Sequence, residues 1–274
     1  MKKIGLALGA GGARGLAQIV ILEAFEELGI KPSIISGTSI GAIIGALYAS
    51  GVSPEEMKTI VKDVIFTKNV KFWELHKKND LLKMMNFVAP NISPGGLIKS
   101  DRFMNFLSDY IKVSTLEKLD IPLKVIATDY WNKNEVVLER GNLLQSIKAS
   151  FSLPGLFSPV ELNKTLLIDG GMVNPLPYDV IKNDCDITVA IDVSASKSRK
   201  GNSIPSSYEM LFSAFQIMQN SIVNEKIKRV KPSIHIKTNI MNIRVHEFMK
   251  VDSIFEEAKV AKKRLKKKLA ALIS

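Results

Sequence analysis

Ser33-Ile34-Ile35-Ser36-Gly37-Thr38-Ser39-Ile40-Gly41-Ala42-Ile43-Ile44-Gly45-Ala46-Leu47 decides how this chain is read. The stretch opens with a short apolar run, crosses a glycine-bounded turn and continues as an apolar segment that Gly51 stops. The pattern predicts a strand over 33–36, a turn over 37–41 and a helix over 42–50. Pro32 to Pro54 carries no charge, but Ser33, Ser36, Thr38, Ser39, Ser50 and Ser53, with several glycines, argue against a membrane span. Within the turn, Gly37-Thr38-Ser39-Ile40-Gly41 is G-x-S-x-G in a strand–turn–helix context. A sharp turn there strains the serine backbone and lifts its hydroxyl off the end of a sheet. The flanking glycines let neighbouring backbone pass closely, and the helix start brings its positive end near developing negative charge.

Outward from this stretch, Ile4–Leu8 reads as a buried parallel strand, and Gly9-Ala10-Gly11-Gly12-Ala13-Arg14-Gly15 follows it. Arg14 stands where a dinucleotide fingerprint beginning at Gly9 needs its third glycine. No Gly-Lys-Ser/Thr follows, which excludes a Walker loop. Two readings remain: a tight turn that packs a helix closely, or a concave set of backbone N–H donors suited to an oxyanion. Downstream, Leu166–Ile168 reads as a strand entering Asp169-Gly170-Gly171. Aspartate before glycines is a common turn signal. It gains weight because a serine nucleophile needs a base. Asp129 and Asp192 also end strands, but outside glycine turns. His235 and His246 follow Asp169, so the order Ser…Asp…His of the α/β-hydrolases is available too, although Ser39, after about the second strand, lies early for that fold's nucleophile.

Strands at 123–128, 135–138, 187–193 and 234–237 alternate with helices at 16–28, 145–150, 208–230 and 255–273. This alternation predicts an α/β fold with a mostly parallel central sheet. No linker divides the 274 residues, so one domain is expected over 1–274, with a motif-bearing core at about 4–195 and a C-terminal strand and basic helix at about 205–274. Residues 66–100, rich in Phe, Met and Lys, read as a helical satellite or a lipid-facing lid. The only cysteine, Cys185, excludes a disulfide scaffold, and three separated histidines give no zinc spacing, so no metal is expected. Glycines and Arg14 break the apolar N-terminal run, so no secretory signal is expected, and no transmembrane segment.

Four blocks together resemble the bacterial patatin-like phospholipases, a family of lipid acyl hydrolases. They are Gly11-Gly12-Ala13-Arg14-Gly15 (G-G-x-R-G), Gly37-Thr38-Ser39-Ile40-Gly41 (G-x-S-x-G), Ala149-Ser150-Phe151-Ser152-Leu153-Pro154 (A-S-x-x-x-P) and Asp169-Gly170-Gly171 (D-G-G). Ala10 departs from the pattern where many members carry glycine. The resemblance implies a three-layer α/β/α fold, no cofactor and no metal, and a Ser39–Asp169 dyad without histidine. It also implies an oxyanion hole from the N–H groups of Gly11, Gly12 and Ala13, with Arg14, Gly15, Gly37, Gly41, Gly170 and Gly171 in support. Arg14 either pins the glycine loop or meets a phosphate.

Lys plus Arg number 38 against 27 Asp plus Glu, a net charge of +11. Segment 259–274, with seven basic residues and no acid, contributes +7 of this, which leaves +4 for the rest. Ile254, Ala258, Ala261, Leu265, Leu269 and Leu272 fall at helical spacing among the lysines. This helix either docks on the sheet with a solvated basic face or lies on an anionic membrane. A lipid or fatty-acyl ester substrate and a cytoplasmic protein, peripheral at the inner membrane surface, are the expectations. The competing readings are a soluble short-chain esterase or thioesterase, and a non-catalytic membrane- or anion-binding module. Nucleic acid is not expected, because the basic cluster is terminal and lacks interleaved aromatics.

Overall fold

The computed structural model describes residues 2–66, 101–194, 207–241, 243 and 247–273. The remainder of the 66–100 stretch, His76, His246 and nearly all of the polar segment 196–207 lie outside the described residues. Among the described residues, eight strands form one sheet: β1 (Ile4–Leu8), β2 (Ile34–Thr38), β3 (Leu123–Asp129), β4 (Asn134–Leu138), β5 (Val160–Leu162), β6 (Thr165–Asp169), β7 (Ile187–Asp192) and β8 (Ile234–Lys237). Their order is β5-β6-β3-β2-β1-β7-β8, with β4 also on β3. The run β3-β2-β1-β7-β8 is parallel throughout, and β4, β5 and β6 join antiparallel. The expected α/β/α fold with a mostly parallel sheet is present.

One register detail builds the site. β2 pairs with β3 from Leu123 to Ile126, while β6 pairs with β3 from Ala127 to Asp129. β4 occupies the other edge of β3 from Val125 to Asp129. Strand β6 therefore continues the edge that β2 leaves, end to end, and delivers Asp169 beside the point where β2 stops.

Helices cover the sheet because its strands alternate large and small side chains. Ile4, Leu6, Leu8, Ile35, Val189 and Ile191 face one way, into a core shared with α1 (Ala17–Glu27), α2 (Ile40–Ala49), α3 (Pro54–Phe66), α4 (Asp101–Tyr110) and α5 (Leu143–Phe151). Ala7 and Ala190 face the other way, toward Leu176, Tyr178, Ile181 and Val223 of α6 (Ser207–Arg229). The small residues there let the 175–185 segment lie close to the strands. Ser53 and Glu56 form a reciprocal capping box around the first turn of α3. No helix among the described residues is long and apolar enough to cross a membrane.

The last helix, α7 (Val251–Ile273), is docked. Ile254, Ala258, Ala261, Leu265 and Leu269 are buried against the core that α1 shares. Lys262 pairs with Glu23 and Glu27, Lys266 with Glu27 and Lys259 with Glu256, while Arg264 donates to Lys237 O. Lys263, Lys267 and Lys268 stay exposed without ionic partners among the described residues.

Candidate active site

Strand β2 runs to Thr38 and α2 begins at Ile40, so the turn is a single residue. The five-residue turn expected over 37–41 contracts because Ser39 takes φ 56°, ψ −122°, which reverses the chain in one step. Such a conformation is costly for a residue with a Cβ and must be held by its surroundings. Ser39 N–H donates to Ser150 Oγ at 2.9 Å, and Thr38 Oγ1 donates to Asn174 O at 2.8 Å. Gly41 lets the elbow press on β1, since a Cβ there would lie 2.2 Å from Leu8 O. Gly37 packs against Gly41 and Ala42, and Gly15 against Ile40. Every residue of α2 from Ile40 to Leu47 is buried, as expected of a helix apolar on all sides.

Ser39 Oγ donates to Asp169 Oδ2 at 2.7 Å, and Asp169 Oδ1 accepts from Gly171 N at 2.7 Å. Asp169 is 2% exposed. Burial pushes its pKa up to about 6, against the opposing pull of the Ser39 and Gly171 hydrogen bonds. Gly170 presses on Ile126 O, 2.3 Å from where its Cβ would be, and this closeness lets β6 meet β3 end to end with β2.

The glycine loop is held between β7 and the Asp169–Gly171 turn. Gly9 N donates to Ile191 O and Ala10 N to Pro175 O, while a Cβ on Gly171 would meet that of Ala10 at 3.4 Å. Gly11 is extended, Gly12 has φ 55°, and a 3-10 turn over Gly12–Leu16 leads into α1. The N–H groups of Gly11 and Gly12 have no acceptor among the described residues. Arg14 is buried and donates to Val193 O at 3.2 Å and Ile243 O at 2.8 Å. Burial lowers its pKa to about 10, although Asp192 pulls the other way. Two of the five N–H donors of Arg14 thus tie the loop to the carbonyls of Val193 and Ile243.

Among the described residues, the rivals Asp129, Asp192 and His235 are engaged elsewhere. His235 Nε2 lies 3.1 Å from Asp192 Oδ2, on β8 and β7, beyond β1 from Ser39. Burial raises the Asp192 pKa, but hydrogen bonds from His235 and Ser194 and the nearby Lys237 hold it below the usual value. Asp129 caps the β3–β4 turn through Trp131 N, Asn132 N and Asn132 Nδ2. Three supporting side chains carry no sequence signal of their role. Ser150 holds Ser39 N, Gln18 Nε2 holds Gly9 O, and Asn174 ties Thr38 to Glu135, Asp179 and Lys226. Ser150→Ala leaves the Ser39 N–H buried without an acceptor. It is expected to cost about 1–3 kcal/mol, measured by urea unfolding.

Comparison with known proteins agrees with this architecture. VipD from Legionella pneumophila superimposes over 96% of this chain and 67% of its own, with a TM-score of 0.51 at 13% identity, which is a likeness of fold. The sequence profile described as patatin-like phospholipase matches residues 6–181, more than half of the chain. The chain belongs to the patatin-like phospholipase family. It is 31% identical over 197 residues to an uncharacterized NTE family protein of Mycobacterium tuberculosis, covering 72% of this chain and 50% of that one. It is 34% identical over 195 residues to patatin-like phospholipase domain-containing protein 7 of Rattus norvegicus, covering 70% of this chain and 14% of that one. The chain thus spans about half the length of the mycobacterial relative and a small part of the mammalian one.

Proposed function

We infer that the protein is a serine hydrolase of fatty-acyl esters, acting on phospholipids or lysophospholipids through a Ser39–Asp169 dyad. The observation that carries this is the 2.7 Å hydrogen bond from a strained, elbow-borne serine to a buried carboxylate. Ser39 Oγ attacks the ester carbonyl carbon while Asp169 takes its proton. The Gly171 N–H fixes the other carboxylate oxygen, so the base stays aimed at Ser39. The free N–H groups of Gly11 and Gly12, with Ala13 beside them, receive the oxyanion, and the start of α2 adds its positive end. The alcohol leaves with the proton from Asp169, and water then releases the fatty acid by the same route in reverse. Family membership supports a lipid substrate.

A fluorophosphonate probe tests the reading. It should label the wild-type chain and not Ser39→Ala. Labelling that survives Ser39→Ala refutes the assignment, and so does its absence from the wild type. A chain-length series of nitrophenyl esters separates a lipid hydrolase, whose turnover rises with acyl length, from a short-chain esterase or thioesterase.

A further inference from the structure

Helix α6 reaches past the end of the sheet where Ser39 sits. Its C-terminal half is docked: Val223 is buried, Lys226 Nζ donates to Asp179 and Asn174, and Tyr178 Oη donates to Val230 O. Strand β8 follows and runs parallel to β7, so α6 runs against the strands. Gln219 lies against Gly171. The stretch from Ser207 to Gln219, about 18 Å long at 1.5 Å per residue, therefore leads outward from the level of the Asp169–Gly171 turn, with Phe212 buried on its inner face.

This overhang is uncharged from Met210 to Ser221 and turns an apolar stripe to solvent. Met210, Leu211, Ile217 and Met218 are all exposed, Ile217 at 65%. A second apolar projection stands at the same end. Strand β3 runs out to Asp129, and at its tip Tyr130 and Trp131 meet edge to face with centroids 4.8 Å apart, Trp131 being 72% exposed. These six are the majority of the nine large apolar side chains exposed among the described residues, so exposure gathers at one end. Cations stand among them. Lys133 lies on the β3–β4 turn and Lys164 on the β5–β6 turn, which projects past the level of Asp129 because Leu167 already pairs there. Both are exposed, and neither ammonium has a carboxylate partner among the described residues.

We propose that this end of the sheet is the surface that seats the protein on an anionic lipid bilayer. The first half of α6 and the Tyr130–Trp131 tip enter the interface, and Lys133 and Lys164 meet the headgroup phosphates. Interfacial aromatics, an uncharged helix face and unpaired lysines on the same rim fit a membrane rather than a second copy of the chain. The proposal rests on the lipid-ester reading above and gives it a route, since a lipid held there faces Ser39. The exposed lysines of α7 do not provide this. That helix lies along α1 and ends where Lys2 Nζ meets Leu272 O, beside the start of β1 and at the opposite end from Ser39.

The test is sedimentation of the full chain with vesicles of phosphatidylglycerol and phosphatidylcholine in equal parts. The double variant Ile217→Glu/Met218→Glu should lose about tenfold or more in partition, and so should Trp131→Ala. The triple variant Lys263→Gln/Lys267→Gln/Lys268→Gln should bind as the wild type does. In a Trp73→Phe background, Trp131 emission should shift to the blue on vesicle binding, which keeps the test alive should the glutamate variant misfold. Four results overturn the proposal: no binding by the wild type, unchanged binding by folded Ile217→Glu/Met218→Glu, loss of binding in the lysine variant, or a wild-type dimer that the glutamate variant breaks. Fluorophosphonate labelling without lipid is read in parallel. Its failure removes the Ser39 reading and leaves the sedimentation result standing, so the two failures are told apart.

Discussion

Asp169→Asn should give a protein that unfolds at higher temperature and barely turns over. Both effects have one cause. The buried carboxylate has its pKa raised to about 6 from 3.8, so the folded state holds its ionised form at a cost. About two units at 1.36 kcal/mol each is about 3 kcal/mol at neutral pH. The sign follows from the protons bound. Between about pH 4 and 6 the folded chain keeps a proton that the unfolded chain has released, so this group's contribution to stability falls as pH rises through that window and the full cost is present above it. Asparagine removes the charge and keeps the contacts, with Oδ1 accepting from Gly171 N and the amide donating to Ser39 Oγ. A gain of about 1–3 kcal/mol is expected at pH 8, shrinking toward pH 4, or about 2–4 °C of melting temperature per kcal/mol. Turnover should fall by about 10²- to 10⁴-fold with the base gone. Wild-type turnover should rise with pH through about 6 as Asp169 ionises. Melts at pH 5 and pH 8 together with ester hydrolysis check all of this. Equal stability at pH 8, or near-normal turnover, removes Asp169 from the role.

The elements that meet at Ser39 could be read from the sequence to different degrees. Ile4–Leu8, the G-x-S-x-G turn and the Asp169 turn follow from local rules, because each is a short apolar run broken by glycines. The buried stripe of the last helix follows from helical spacing, although the helix starts at Val251, four residues before the periodicity suggests. The hand-over of the β3 edge from β2 to β6 was not legible. It depends on the register between strands and on Gly170 reaching Ile126 O, neither of which leaves a periodic trace. Strand β5 and helix α4 were missed as well. Three residues of strand are too short to show alternation, and α4 is a short helix of ten residues. Ser150 looked like one member of a motif, whereas its work is a hydrogen bond to a residue 111 positions away.

Ser39→Gly should be more stable than Ser39→Ala, against the usual order of these two residues. Both variants remove the hydroxyl and leave Asp169 without that donor, so this loss cancels between them. What remains is the backbone. At φ 56°, ψ −122° a Cβ costs about 1–3 kcal/mol, and glycine pays nothing there. Glycine gives back about 0.5–1 kcal/mol through its freer unfolded chain. The difference should be about 1–2 kcal/mol in favour of glycine, read from urea unfolding of the two variants side by side, while neither takes a fluorophosphonate label. If alanine matches or exceeds glycine, the elbow is not strained and the serine is not being held out of the sheet by force. If glycine wins, the chain keeps at position 39 a residue its backbone disfavours. Stability would favour glycine there, so what retains the serine is the hydroxyl aimed at Asp169.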